Sequence, residues 1–238
     1  MKILQHCLAL MIALTGLTAV YAQTVDEIID KHISAIGGKE KLDQVKSVYS
    51  ESSVQVMGND APSTLTILNG KGYRLESDIN GQKMVQVYTD KSGWAINPFA
   101  GGTDPQPMPD DQYKAGKDQL DVGGSLYNYA AKGSKVELLG KEDSAYKIKL
   151  TSKDNIVITF YIDPVTYYIR KAVQTISMMG QEVESTRKPS DYKKTDFGVV
   201  LPYTIDISYG SQFSLTSTVK KIEINKAVDP KIFEMPSK

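Results

Sequence analysis

Hydrophobic positions along the chain fall into two periods, a helical one near the N-terminus and an alternating one over most of the remaining residues. Val25, Ile28, Ile29, His32, Ile33 and Ile36 recur at the spacings that place them on one face of an amphipathic helix. Thr24-Val25-Asp26-Glu27 is a T-x-x-E capping box at its start, and Gly37-Gly38 supplies a left-handed stop. A short piece over 39–45 turns Leu42 and Val45 inward, and from Ser47 the period becomes two.

The alternation predicts strands over 47–57 and 64–68, separated by the turn-forming Gly58-Asn59-Asp60-Ala61-Pro62. Tyr73, Leu75, Ser77 and Ile79 alternate with Arg74, Glu76 and Asp78, and Asn80-Gly81 offers the positive-φ pair of a tight hairpin into 84–89. Asp90-Lys91-Ser92-Gly93 is a further turn, leading into Trp94 and Ile96. Residues 98–110 hold Pro98, Pro105, Pro107, Pro109 and Gly101-Gly102, the composition of a long loop. Asp110 is placed to cap a helix through Leu120, and a second helix is predicted over 125–131, with Leu126, Tyr127 and Tyr129 as its contacts. A helical insertion between two strand runs reads as a lid over one face of the sheet.

The second strand run begins over 135–139. Tyr146, Ile148 and Leu150 then alternate with Lys147, Lys149 and Thr151, so one face is solvated. Ile156, Ile158, Phe160 and Ile162 alternate with Val157, Thr159 and Tyr161, the pattern of a mid-sheet strand covered on both faces. Further strands fall over 167–177 and 183–192. Val199, Leu201, Tyr203, Ile205, Ile207 and Tyr209 form the longest unbroken alternation in the chain. The last strand changes phase between Val219 and Ile222, which predicts a β-bulge or strong bend near Lys220-Lys221. The fold class is therefore mainly β (α+β), a single curved antiparallel sheet of about ten or eleven strands curled around its helices, with room for a cavity between.

Composition adds the compartment. The chain has 238 residues, 41% hydrophobic and 24% charged, which suits one folded unit rather than a disordered chain. Lys plus Arg and Asp plus Glu are both 28, so no single-sign field is available for nucleic acid. Lys2, an uncharged run from Cys7 to Val20 and the ending Ala19-Val20-Tyr21-Ala22 have the form of a secretory signal cleaved after Ala22, leaving 23–238 as a single domain. Cleavage removes Lys2, His6 and Cys7, so the remainder has acidic groups in excess by one, His32 as its one histidine and no cysteine for a disulfide. Cys7 opens the apolar run instead of following small residues at its end, so no lipid anchor is expected. The expected product is periplasmic and does not span the membrane.

Candidate chemistry is sparse. His32 lies on the apolar stripe and reads as structural. The chain carries no H-E-x-x-H, C-x-x-C, G-x-S-x-G, P-loop, G-x-G-x-x-G or EF-hand pattern, so no catalytic residue, cofactor or metal site is predicted and the protein is not read as an enzyme. Asp110-Asp111 and Glu182/Glu184 read as solvated carboxylates. What stands out is the aromatic content of the strands, including Tyr73, Tyr88, Trp94, Phe160 and Tyr209. Most of these read as ordinary sheet packing, but in a sheet too large for its helices to fill some of them line whatever cavity remains, and an apolar ligand site is the functional reading.

Ala35-Ile36-Gly37-Gly38 with Leu42-x-x-Val45, the run from Tyr88 through Asp90-Lys91-Ser92-Gly93-Trp94 to Pro98, Asp191-Tyr192-Lys193-Lys194 ahead of Gly198-Val199-Val200-Leu201-Pro202, and Phe233-Glu234-Met235-Pro236 occur in an order and spacing that resembles the LolA/LolB-like lipoprotein carrier family, in particular its LolA-like outer-membrane lipoprotein-sorting members. The resemblance covers nearly the whole chain after residue 22. It implies an unclosed β-barrel whose concave face is covered by helices around an apolar cavity for acyl chains. It also implies a chaperone-like carrier that takes lipoprotein acyl chains or another lipid from an inner-membrane partner and transfers them toward an outer-membrane partner. The candidate wall and lid residues are Leu65, Ile67, Tyr73, Leu75, Val85, Val87, Trp94, Ile96, Tyr127, Ile148, Leu150, Ile158 and Phe160. The family's arginine that bonds to the helical lid falls here on Asn69, with Lys71 and Arg74 as nearby substitutes. The competing reading is a non-carrier envelope sensor or protein-interaction domain with a solid core and a binding edge.

Overall fold

The computed structural model describes residues 23–56, 58–178 and 180–236; the segment read as a signal, with its cleavage site, lies outside them. Helix α1 (Val25–Ala35) begins at a complete capping box, with the Thr24 hydroxyl accepting from the Glu27 amide and the Glu27 carboxylate accepting from the Thr24 amide. It buries Ile28, Ile29, His32 and Ile33. Gly37 and Gly38, both at positive φ, end the helical turn, and α2 (Lys39–Gln44) buries Leu42.

Thirteen strands make up one antiparallel sheet, where the sequence pattern suggests ten or eleven. The first group is β1 (Ser47–Val56), β2 (Asn59–Leu68), β3 (Gly72–Ile79), β4 (Gln82–Thr89), β5 (Gly93–Asn97) and β6 (Gly102–Pro107). The second is β7 (Lys135–Glu142), β8 (Ala145–Thr151), β9 (Val157–Ile162), β10 (Ile169–Met178), β11 (Gln181–Lys194), β12 (Val200–Tyr209) and β13 (Phe213–Ile224). Their order is β6-β5-β4-β3-β2-β1-β13-β12-β11-β10-β9-β8-β7, so β1 and β13 join two meanders and the sheet stays open at β6 and β7.

The extra strand length comes from segments read as turn or loop. Pro62 is inside β2, opposite Ser53, but the pairing of β2 with β3 starts only at Ser63, so its missing N–H faces no second neighbour. Pro105 and Pro107 are tolerated in β6 because it is an edge strand, and the proline-rich loop is correspondingly shorter than its composition suggests. Asn80 and Gly81, with φ of 55° and 78°, make the expected tight hairpin between β3 and β4. Of the bulge or bend expected in the last strand, the structure has the bulge: Glu51 faces Lys221 and Ser52 faces Val219, leaving Lys220 as the extra residue. Strand β9 is paired on both sides and has Phe160, Tyr161 and Ile162 buried, although it sits third from the β7 edge instead of mid-sheet.

The sheet curls. Tyr73 on β3 and Arg187 on β11 are five strands apart in the sheet, which is about 24 Å if flat at ordinary strand spacing. Burial raises the pKa of both Tyr73 and Tyr88, yet the Arg187 guanidinium pulls each of them down and the Tyr209 phenol on β12 pushes each of them up. Groups that far apart on a flat surface would be screened from one another. Tyr73 and Tyr88 on one wall and Ile148, Leu150 and Phe160 on the other share one buried cluster, so the two walls face each other across the concave side, in the manner of an unclosed barrel.

Helix α1, α2 and the segment between β6 and β7 lie on that inner side. Helix α3 (Asp110–Gly116) opens this segment and runs into a turn of 3-10 helix over Lys117–Leu120. Asp110 is its first helical residue, not its cap; that position is Pro109, which offers no side-chain acceptor. The second predicted helix, over 125–131, is absent: the stretch is a series of turns, interrupted by Asn128 at φ 49°. Its apolar side chains still pack inward, with Leu126 and Tyr127 buried.

Candidate functional site

Alternation along each strand sorts the inner face from the outer, and the register transmits that choice from strand to strand. Ile67 pairs with Val48 and Tyr73, Leu65 with Leu75, and Tyr73 with Tyr88, so these side chains share one face. Across the gap, Leu150 pairs with Ile158 and Ile148 with Phe160. Of the thirteen wall and lid candidates, nine meet in one inner cluster around α1: Leu65, Ile67, Tyr73, Leu75, Tyr127, Ile148, Leu150, Ile158 and Phe160.

The other four do not join them. Val85, Val87, Trp94 and Ile96 point to the outer face, where they pack with Phe233, Val228 and Ile232 of the C-terminal segment. The Trp94 indole donates to the Phe233 carbonyl at 2.9 Å, and the Phe233 ring fills the space over Gly72, where an added Cβ would lie 2.5 Å from it. The reason is one step of phase. Strand β4 carries apolar groups on both alternations, Met84 and Tyr88 on one and Val85 and Val87 on the other. Pairing Tyr88 with Tyr73 sends the valines outward.

The half of the inner face nearest the helices is filled. Ile28, Ile148, Leu150 and Ile162 are fully buried in it. His32, 3% exposed, shares this core and places Nδ1 2.8 Å from the Tyr167 carbonyl, which makes Nδ1 the protonated nitrogen of a neutral ring. Burial outweighs that hydrogen bond and lowers the His32 pKa.

The segment crossing the mouth of the barrel is fastened on both sides. The Gly70 amide donates to the Leu120 carbonyl at 2.8 Å, and Asn69 accepts from the Val122 amide at 3.0 Å while donating to the Val45 carbonyl at 2.9 Å. Asn69 thus bonds to the covering segment from the position where the family resemblance places an arginine. Arg74 is directed outward, to Glu76 and the Ile232 carbonyl, and does not substitute for it. Further along, the Tyr127 hydroxyl donates to Asp43 of α2 and the Tyr129 hydroxyl to Asp26 of α1. On the opposite wall Gln174 of β10 donates to the Ala115 carbonyl of α3 at 3.2 Å, and Lys117 pairs with Asp154. Between these points α3 lies against Tyr88, so close that a Cβ on Gly116 would collide with the phenol ring and its oxygen. Burial in this layer pushes Tyr73 up to about 12 and raises Tyr88 as well.

Beyond α3 the same face is less deeply buried. Tyr209 pairs with Phe213, Ile207 with Leu215 and Ile205 with Ser217. Val54 faces Ser217, and Ile176 faces Val183. Of these apolar side chains Val183 is buried, while Val54, Ile176, Ile205, Ile207, Tyr209, Phe213 and Leu215 are only half-buried. They form a row of partly exposed apolar side chains on the inner face, called the trough below, that continues from the packed core. None was among the thirteen candidates, although the unbroken alternation through Ile205, Ile207 and Tyr209 was their signal. A separate depression of about 360 Å³ lies between α1 and the covering turns, lined by Ile29, Ile33, Lys39 and Leu126 among others. Among the described residues no group of three or more His, Cys, Asp or Glu side chains is placed to hold a metal, and no helix is long and apolar enough to cross a membrane.

No protein family model and no curated protein matches the sequence. Solved structures do match the fold. A Vibrio parahaemolyticus domain described as an outer-membrane lipoprotein-sorting protein superposes with a TM-score of 0.58 at 12% identity, over 87% of this chain and 94% of that one. A LolA superfamily protein from Nitrosomonas europaea gives 0.57 at 12% identity, over 90% and 98%. A DUF1329 family protein from Desulfovibrio piger gives 0.52 at 13% identity, over the same shares of the two chains. The chain has a LolA-like fold.

Proposed function

We propose that this protein is a periplasmic carrier that shields the acyl chains of a lipid or lipoprotein in the trough, for transfer between an inner-membrane donor and an outer-membrane acceptor. The observation that carries the reading is the row of half-buried apolar side chains beyond α3, from Val54 through Ile205, Ile207 and Leu215 to Ile176. A monomeric fold gains by burying such side chains, and a row left open on a concave face is a surface awaiting an apolar occupant. Each methylene laid there is worth about 0.8 kcal/mol, so a long acyl chain is held without specific polar contacts. Release then depends on the covering segment and on the acceptor's own affinity. The LolA-like fold supports the same reading, because two of its solved relatives bear names that refer to lipoprotein sorting or to the LolA superfamily.

An edge-pairing interaction module has less to work with. Strand β6 carries Pro105 and Pro107, and the register of β7 with β8 is broken between Leu138 and Lys141, so both open edges are blunted against strand addition.

Two variants test the assignment against each other. Ile207→Asp puts a charge into the trough at a half-exposed position and is expected to weaken uptake of a fluorescent fatty acid by at least about tenfold while the protein stays folded. Trp94→Ala, on the outer face, is expected to cost about 3–5 kcal/mol of stability and leave uptake by the folded fraction unchanged. Uptake unaffected by Ile207→Asp removes the trough as the binding site.

A further inference from the structure

The chain contains three arginines, and two of them are neutralised: Arg74 by Glu76 on the outer face and Arg170 by Asp163. Arg187 makes no ion pair and no side-chain hydrogen bond among the described residues. Its position is unusual for such a charge. On β11 it alternates with Val183 and Ser185, both buried on the inner face, and it pairs with Ala172 of β10 on one side and Ile207 of β12 on the other. Ala172 packs against the inner core and Ile207 belongs to the trough. Across 181–189 of β11 and the positions that face it on β10 and β12, the inward side chains other than Arg187 are uncharged. Arg187 nevertheless stays exposed, so its charge is not trapped and can be reached from the open trough.

Its neighbours suit an anionic oxygen. Tyr209 pairs with Ser185, the next inward residue of β11, and so brings its phenol beside Arg187. Tyr73 and Tyr88 pair on the inner face of the facing wall, where burial raises the pKa of each and the Arg187 guanidinium lowers it. Gln174 stands next to Ser185, one inward position along from the Ala172–Arg187 pair, and there it holds α3. A guanidinium is a planar donor fork matched to a carboxylate, and an acyl chain laid along the neighbouring apolar row would hold its carboxylate within reach of that fork. One arginine supplies one positive charge, which matches a monoanion better than the nearly doubly charged phosphate monoester.

We propose that Arg187 is a head-group anchor for a long-chain fatty acid, whose carboxylate it binds while the chain lies along Ile205, Ile207 and Leu215. This deepens the carrier reading and rests on it: the trough supplies the affinity and Arg187 makes it prefer an anionic head.

The test compares radiolabelled oleate with methyl oleate by equilibrium dialysis against the delipidated protein lacking residues 1–22. The pair has the same chain and differs in the charge of the head. Wild type is expected to hold oleate at least tenfold more tightly than its ester. Arg187→Gln should bring the two affinities together by weakening oleate and leaving the ester unchanged, and Arg187→Lys should restore part of the preference. Equal binding of both ligands by wild type, or a preference that survives Arg187→Gln, overturns the anchor and leaves the carrier standing. Failure of wild type to bind either ligand overturns both.

Discussion

His32 shows how one residue links the core to solution conditions. Its ring is buried and neutral, and burial holds its pKa below the ordinary histidine value. The unfolded chain therefore takes up the proton first, so the stability it contributes is complete above the unfolded pKa of about 6.5 and declines as pH falls through the folded value. His32→Asn keeps an N–H for the Tyr167 carbonyl and removes the titration. Thermal melts between about pH 7.5 and pH 5 should show a smaller acid-induced loss for the variant than for wild type. An identical loss would mean that His32 is not what makes the fold acid-sensitive. Its structural role was legible in the sequence, because a single histidine on an isoleucine stripe has nowhere to point but the core. The free charge of Arg187 was not legible, since only the register of β11 against β10 and β12 shows which way it faces.

At the scale of elements, the helix and hairpins were readable because local chemistry decides them: a capping box, a positive-φ Asn-Gly pair, a strict alternation. The lid was readable only in part. Its apolar residues do face inward, but Asn128 at positive φ replaces the second helix with turns, and Pro109 takes the cap position expected of Asp110. The outward direction of Val85, Val87, Trp94 and Ile96 was hidden for a different reason. Where both alternations are apolar, only pairing with β3 and the covering C-terminal segment select one face. The seating of α3 depends on the absence of a side chain at Gly116, whose φ of −107° any residue can adopt. Gly116→Ala should therefore act by steric pressure on Tyr88 alone. It is expected to cost about 1–3 kcal/mol and to speed hydrogen exchange at the Val122 and Gly70 amides, which bond across the lid. Unchanged exchange at both would show that the lid is fastened independently of α3.

For the molecule as a whole, curvature brings the two halves of a linear pattern face to face around the helices. Thirteen strands cannot bury an apolar face by lying flat, and α1, α2 and the lid cover only part of the concavity. The covered part is a solid core built on Ile28, Ile148 and Leu150; the uncovered part is the trough through Ile205 and Ile207. Sequence periodicity foretold an apolar concave face, but not where deep burial would give way to partial exposure, which depends on how far the helices reach across the sheet. The most direct measurement is native mass spectrometry of the protein, expressed from the full-length sequence and purified without detergent, with organic extraction of any bound mass. A carrier should arrive with an acyl-bearing lipid or lipoprotein that is lost in Ile207→Asp and retained in the folded fraction of Trp94→Ala. A folded protein of bare polypeptide mass, which also takes up no fatty acid when offered it, would contradict the account.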